Sequence, residues 1–140
     1  NSPWACDFGL DLSRNFRALK TWFTFSVYGT EKLGNVITYT CELAQYLKQL
    51  IENEAQLELL APVSLNIVCF RFRCENSNRV NNELVIHLQE SGFCAPSSTT
   101  INGQIAIRAA IVNHRTQKQD IDTLIEKTLE FGNREIKKYD

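Results

Sequence analysis

Several things are missing from this sequence, and each absence removes a class of explanation. There is no methionine anywhere, and the chain opens on Asn1-Ser2-Pro3-Trp4 with no basic-then-apolar leader pattern. That opening is read as a fragment boundary. No run approaches the roughly 20 consecutive apolar residues that a membrane-spanning helix needs. No strong excess of one charge exists either, since the formal net charge is −1. A strongly basic footprint for nucleic acid is therefore absent. The five cysteines, Cys6, Cys41, Cys69, Cys74 and Cys94, include no C-x-x-C pair. Zinc-ribbon and thiol-exchange spacings are thereby excluded. An odd number at irregular spacing reads as reduced structural thiols in a cytosolic protein rather than a disulfide framework.

What is present is apolar and aromatic surface. Hydrophobic residues make up 44% of 140 residues, enough for one globular domain or a small domain with an attached segment. Part of that surface lies in "NFRALKTWFTFSVYG", residues 15–29. The period predicts a helix from Ser13 or Arg14 to Tyr28, ended by Gly29. Its apolar positions, Leu12, Phe16, Leu19, Trp22, Phe23 and Val27, are widened by Phe25 and Tyr28. A helix apolar around much of its circumference needs partners on several sides. It is expected to be exposed in the isolated chain or covered by self-association.

A second helix is predicted from Thr30, as cap, to Asn53 or Glu54. Leu57–Leu60 and Ser64–Arg73 read as strands separated by a turn at Pro62. In the longer strand Val68, Phe70 and Phe72 share one face, while Ile67, Cys69, Arg71 and Arg73 share a wetter one. A helix over 80–91 follows, ended by Gly92. "SSTT", residues 97–100, reads as a polar loop before a hairpin that Asn102-Gly103 turns. The strand over 104–112 alternates Ile105, Ile107, Ala109 and Ile111 with Ala106, Arg108, Ala110 and Val112, so it is expected to be central. Thr116-x-x-Gln119 reads as a capping box for a last helix whose core face is Ile121, Leu124, Ile125, Thr128 and Leu129. The order predicts an α+β fold: a small, mostly antiparallel sheet of about four strands packed by helices and preceded by a long N-terminal helix.

Arg108 is the sharpest local signal. A charge inside a two-sided apolar strand costs several kcal/mol unless paired. Its partner is either an acidic side chain from a neighbouring helix, or water reached by snorkelling, or a carboxylate or phosphate ligand that the guanidinium grips bidentately. His114 reads as a turn residue, with a general-base role as the other possibility. His87 lies in a helix with no metal partner at i+4. Ser13 and Arg14 stand where a helix cap or an anion site belongs. Arg71 and Arg73, interleaved with Phe70 and Phe72, leave a sheet-based RNA binder as an outside reading.

Four stretches then carry a family likeness: "SRNFRALKTWFTFSVYG", "LELLAPVSLNIVCFRFR", "LQESGFCAPSSTTINGQIAIRAAIVNHRT" and "DIDTLIEKTLEFG". In this order they resemble the C-terminal part of group II pyridoxal-phosphate-dependent amino acid decarboxylases, over about Trp4 to Gly132. The resemblance implies the small domain of a fold-type-I enzyme. Residues 1–29 would be the tail of the large domain and the crossover helix, and residues 30–140 the C-terminal small domain. It implies a cytoplasmic carboxy-lyase working as a homodimer on an amino acid, with pyridoxal 5'-phosphate as cofactor. The Schiff-base lysine, the aspartate that pairs the ring nitrogen and the stacking histidine would all lie upstream of Asn1. None of Lys20, Lys32, Lys48, Lys118, Lys127, Lys137 and Lys138 matches the lysine motif. Two substrate-binding positions carry over: Arg108, on the strand whose arginine binds a substrate carboxylate in some members, and Ser13, beside the substrate pocket. No catalytic, cofactor-binding or metal-binding residue is expected in this chain. Alone, it is expected neither to hold the cofactor covalently nor to decarboxylate. The alternative reading is a stand-alone small-acid-binding or regulatory module.

Overall fold

The computed structural model describes residues 3, 4, 8 and 16–138. The chain divides into two compact units, residues 1–36 and residues 37–140. Helix α1, Arg17–Glu52, runs through the boundary. Its regular course breaks at Gly29, which takes φ 73° and ψ 166°. Only glycine adopts such a conformation without steric cost, so the predicted helix end at this residue is a real interruption. The two predicted helices thus meet there and count as one element.

The first unit buries little of its own apolar surface. Phe16, Trp22, Phe23, Phe25, Val27 and Tyr28 are all exposed, Trp22 at 61%. Trp22 and Phe23 meet edge to face at 5.0 Å between ring centres, and the Lys32 ammonium lies 5.1 Å from the Tyr28 ring centre.

The second unit is an α+β layer structure. Strands β1 (Leu57–Leu59), β2 (Ile67–Phe72), β3 (Ser97–Ile101) and β4 (Gln104–Ala110) form one antiparallel sheet in the order β1-β2-β4-β3. As expected, β4 is central. The Asn102-Gly103 turn joins β3 to β4, with φ 51° and 77° at its two residues, the signature of a tight hairpin turn of primed type. Residues 97–101 are therefore a strand and not the polar loop the sequence suggested. Hydroxyl residues suit an exposed edge strand, and pairing with β4 supplies the backbone hydrogen bonds.

One face of the sheet carries the core. Phe70 pairs with Ile107 and Val68 with Ala109, and all four are buried. They pack with Leu43, Leu47 and Ile51 of α1, with Val80, Leu84 and Leu88 of α2 (Ser77–Glu90), and with Ile121, Leu124 and Phe131 of α3 (Lys118–Ile136). Gly132 marks the closest approach: a Cβ there would stand 2.5 Å from the Phe72 ring.

Helix α2 begins three residues earlier than its apolar period indicated. The Ser77 hydroxyl accepts the Cys74 N–H at 3.1 Å and donates to the Cys74 carbonyl at 2.5 Å, which starts the turn. Two asparagines then act as substitute peptide groups. Fully buried Asn81 accepts the Phe72 N–H at 2.8 Å and donates to the Phe72 carbonyl at 2.9 Å. Asn78 accepts the Ile105 N–H at 2.8 Å and donates to the Gly103 carbonyl at 3.0 Å. At the start of α3 the cap is Gln117, one residue beyond the predicted Thr116, and its N–H donates to Asp120 at 2.8 Å. Thr116 closes the preceding turn instead, donating its N–H to the Asn113 carbonyl. No helix among the described residues is long and apolar enough to cross a membrane.

Candidate functional site

The second face of the sheet is open, and Arg108 sits on it. The register places Arg108 between Cys69 of β2 and Ser97 of β3. Alternation along β4 had suggested burial on both sides. Ala106 is indeed buried, but Arg108 is half-buried and Ile67 and Ala110 are exposed. Its charge thus escapes most of the desolvation cost expected of a two-sided strand.

No acidic side chain among the described residues pairs with Arg108. Its recorded partner is a hydroxyl: Nη1 donates to Ser97 Oγ at 3.5 Å. The acidic side chain on this face, Glu58, is held by two other guanidinium groups, Arg71 and Arg73. Of the readings open from the sequence, the acidic partner from a neighbouring helix is absent, and the half-exposed group remains accessible to water or to an anion. Burial pushes the Cys69 thiol above its ordinary pKa, and the positive charge of Arg108 offsets part of that. The thiol beside Arg108 is therefore neutral near pH 7.

The other expected positions are scattered. Ser13 and Arg14 lie outside the described residues. His114 is exposed in the turn after β4, where Asn113 Oδ1 accepts the Arg115 N–H at 3.0 Å. His87 has a partner that sequence spacing did not reveal: its Nε2 lies 3.0 Å from Glu135 Oε1, 48 residues away. Glu135 is 1% exposed and also accepts from Lys138 Nζ at 2.5 Å. Burial pushes its carboxyl pKa up, but Lys138 and His87 outweigh this and hold it below the usual glutamate value. A carboxylate on the apolar side of a helix was the available signal. The charged run around it, with Arg134, Lys137 and Lys138, masks that signal in the sequence.

The lysines do not fit a covalent cofactor site. A Schiff-base lysine needs a desolvated amine in a cavity. Lys127 and Lys138 are bound to Glu130 and Glu135, and Lys48 is paired with Glu52. Lys118 borders a cleft of about 430 Å³, but it is exposed and its ammonium lies 4.9 Å from the Tyr46 ring centre. Lys20, Lys32 and Lys137 are exposed. The described residues assemble no group of three or more His, Cys, Asp or Glu side chains suited to a metal ion.

Comparison with known proteins places this geometry. Residues 2–73 match the pyridoxal-dependent decarboxylase conserved domain. An aromatic-L-amino-acid decarboxylase of Bacillus atrophaeus is 30% identical over 125 residues, covering 85% of this chain and 26% of that relative. Among solved structures, the glutamate decarboxylase domain of diaminobutyrate-pyruvate transaminase and L-2,4-diaminobutyrate decarboxylase from Vibrio parahaemolyticus superposes with a TM-score of 0.78 at 25% identity. It matches 86% of this chain and 27% of that one. Oryza sativa TDC, crystallised with PLP and tryptamine, has the same fold, with a TM-score of 0.79 at 22% identity over 93% of this chain and 29% of that one. The chain spans about a quarter of the length of the relatives it matches. On the conserved-domain match and the shared fold, the chain belongs to the pyridoxal-dependent decarboxylase family.

Proposed function

We propose that this chain is the C-terminal portion of a pyridoxal-phosphate-dependent amino acid decarboxylase. Residues 1–29 are the tail of the large domain and the crossover helix; residues 30–140 are the small domain. The observation that carries the proposal is the conserved-domain match over residues 2–73 joined to a sheet-and-helix layer of the family's fold. Bound pyridoxal phosphate supplies an electron sink for the carbanion left by CO2 loss. Because no lysine here suits covalent attachment, that chemistry belongs to protein outside these residues. This chain contributes surface and substrate contacts.

Arg108 binds the substrate carboxylate, and Ser13 borders the substrate pocket. A half-exposed guanidinium with no acidic partner among the described residues supports the first role. The substrate is an amino acid, and the likeness to an aromatic-L-amino-acid decarboxylase favours an aromatic one. The exposed aromatic side of residues 16–28 packs on the large domain and the second subunit of a cytoplasmic homodimer.

The gene provides the first test. An open reading frame that continues upstream through a large α/β domain with a His-Lys motif supports the proposal. A start codon immediately before Asn1 favours the second reading, a small-acid-binding module, which the half-exposed guanidinium also suits. The whole enzyme is expected to release CO2 from one or more of a panel of amino acids. The 140-residue chain alone is expected to release none and to retain no cofactor after borohydride treatment.

A further inference from the structure

Arg108 is the middle of a row that crosses three strands: Ser97 on β3, Arg108 on β4 and Cys69 on β2. All three side chains lie on the open face. The guanidinium carries five N–H donors in a planar fork. One nitrogen, Nη1, is directed at Ser97 Oγ, 3.5 Å away. The ion pairs on this face among the described residues join Arg71 and Arg73 to Glu58, so no carboxylate of the described residues competes for the rest of the fork. The hydroxyl that accepts from Arg108 still has its own proton to donate, and accepting from a cation polarises it toward donation. The neutral thiol of Cys69 on the other flank adds no opposing charge.

We propose that Ser97 and Arg108 form one carboxylate-binding pair, in which the guanidinium grips the carboxylate while the Ser97 hydroxyl donates to one of its oxygens. The proposal rests on the reading of Arg108 as the substrate-carboxylate ligand, and it adds a second donor on the neighbouring strand. A planar carboxylate suits the site better than a phosphate. The fork is planar, and a single guanidinium with one hydroxyl supplies few of the donors that three phosphate oxygens need. The hydroxyl-rich edge strand, which core packing does not explain, thereby acquires a role at its first residue.

The test uses the 140-residue chain and nuclear magnetic resonance of its arginine Nε–Hε groups. Acetate is titrated as the carboxylate probe, with acetamide as the uncharged control. A saturable shift at Arg108 and at the Ser97 amide is expected with acetate and not with acetamide. Ser97→Ala is expected to weaken acetate binding roughly tenfold, as loss of one hydrogen bond to a charged group does. Ser97→Thr is expected to restore it. Undiminished binding by Ser97→Ala overturns the pair, as does equal binding of acetamide or no saturable shift at all. Arg108→Gln separates this inference from the reading beneath it. If that variant loses acetate while Ser97→Ala keeps it, the pair falls and Arg108 stands alone as the ligand. In the whole enzyme, a normal KM for the amino acid in Arg108→Gln overturns the substrate-carboxylate reading itself.

Discussion

The two halves of α1 carry similar apolar content and put it to different use. Beyond Gly29, the residues Leu43, Ala44, Leu47 and Ile51 recur at helical spacing and are all buried in one core with the sheet. Before Gly29, the helix is at least as aromatic, yet Trp22, Phe23, Phe25 and Tyr28 are exposed. Burial follows from what a segment has to pack against, and hydrophobic composition alone does not confer it. The core of residues 37–140 is supplied by its own sheet. The aromatic stripe of residues 16–28 has no such layer within its own unit.

This contrast can be broken from either side. Truncating the centre of the core, Phe70→Ala, should cost about 3–5 kcal/mol, read as a lowered denaturant midpoint. A loss below about 1 kcal/mol would mean that the sheet face is not the core. Asn81→Ala is next. It strands both the N–H and the carbonyl of Phe72 in the interior, so a loss of roughly 2–3 kcal/mol is expected by chemical denaturation.

The third effect is a pH dependence. The folded carboxyl of Glu135 lies below its ordinary value, so its contribution is complete above the unfolded pKa of about 4.3 and disappears as pH falls through the folded pKa. Glu135→Gln should therefore cost about 1 kcal/mol near pH 7 and flatten the fall in stability below about pH 4. A wild-type acid transition unaltered by the substitution would refute this role. The smallest effect is expected in the first unit. Trp22→Ala should change unfolding stability by less than about 0.5 kcal/mol while lowering self-association measured by sedimentation. If Trp22→Ala proved as damaging as Phe70→Ala, the contrast between the two halves would collapse.

Much of the fold was legible in the sequence because period and turn chemistry are local. The alternation of Val68, Phe70 and Phe72, the Asn102-Gly103 turn and the break at Gly29 depend on neighbouring residues, and each occurs as read. The errors arose where a distant partner decided the outcome. The segment 97–100 is polar by composition, and only pairing with β4 makes it a strand. The early start of α2 depends on Ser77 and on two asparagines that bond to backbone of β2 and of the β3–β4 hairpin. Arg108 stood out from the sequence as a misplaced charge. Its neighbours Ser97 and Cys69 did not, since they lie 11 and 39 positions away and meet it only through strand register.

Local order and motif spacing are enough to set which faces are apolar, where the chain turns, and a likeness to one enzyme family. Packing alone leaves the face bearing Arg108 open and sets a hydroxyl, and among the described residues no carboxylate, beside it. It also decided that Glu135 is buried against His87. The physical reason is the same throughout: burial and pairing are properties of residues far apart in the chain that packing brings within a few ångströms.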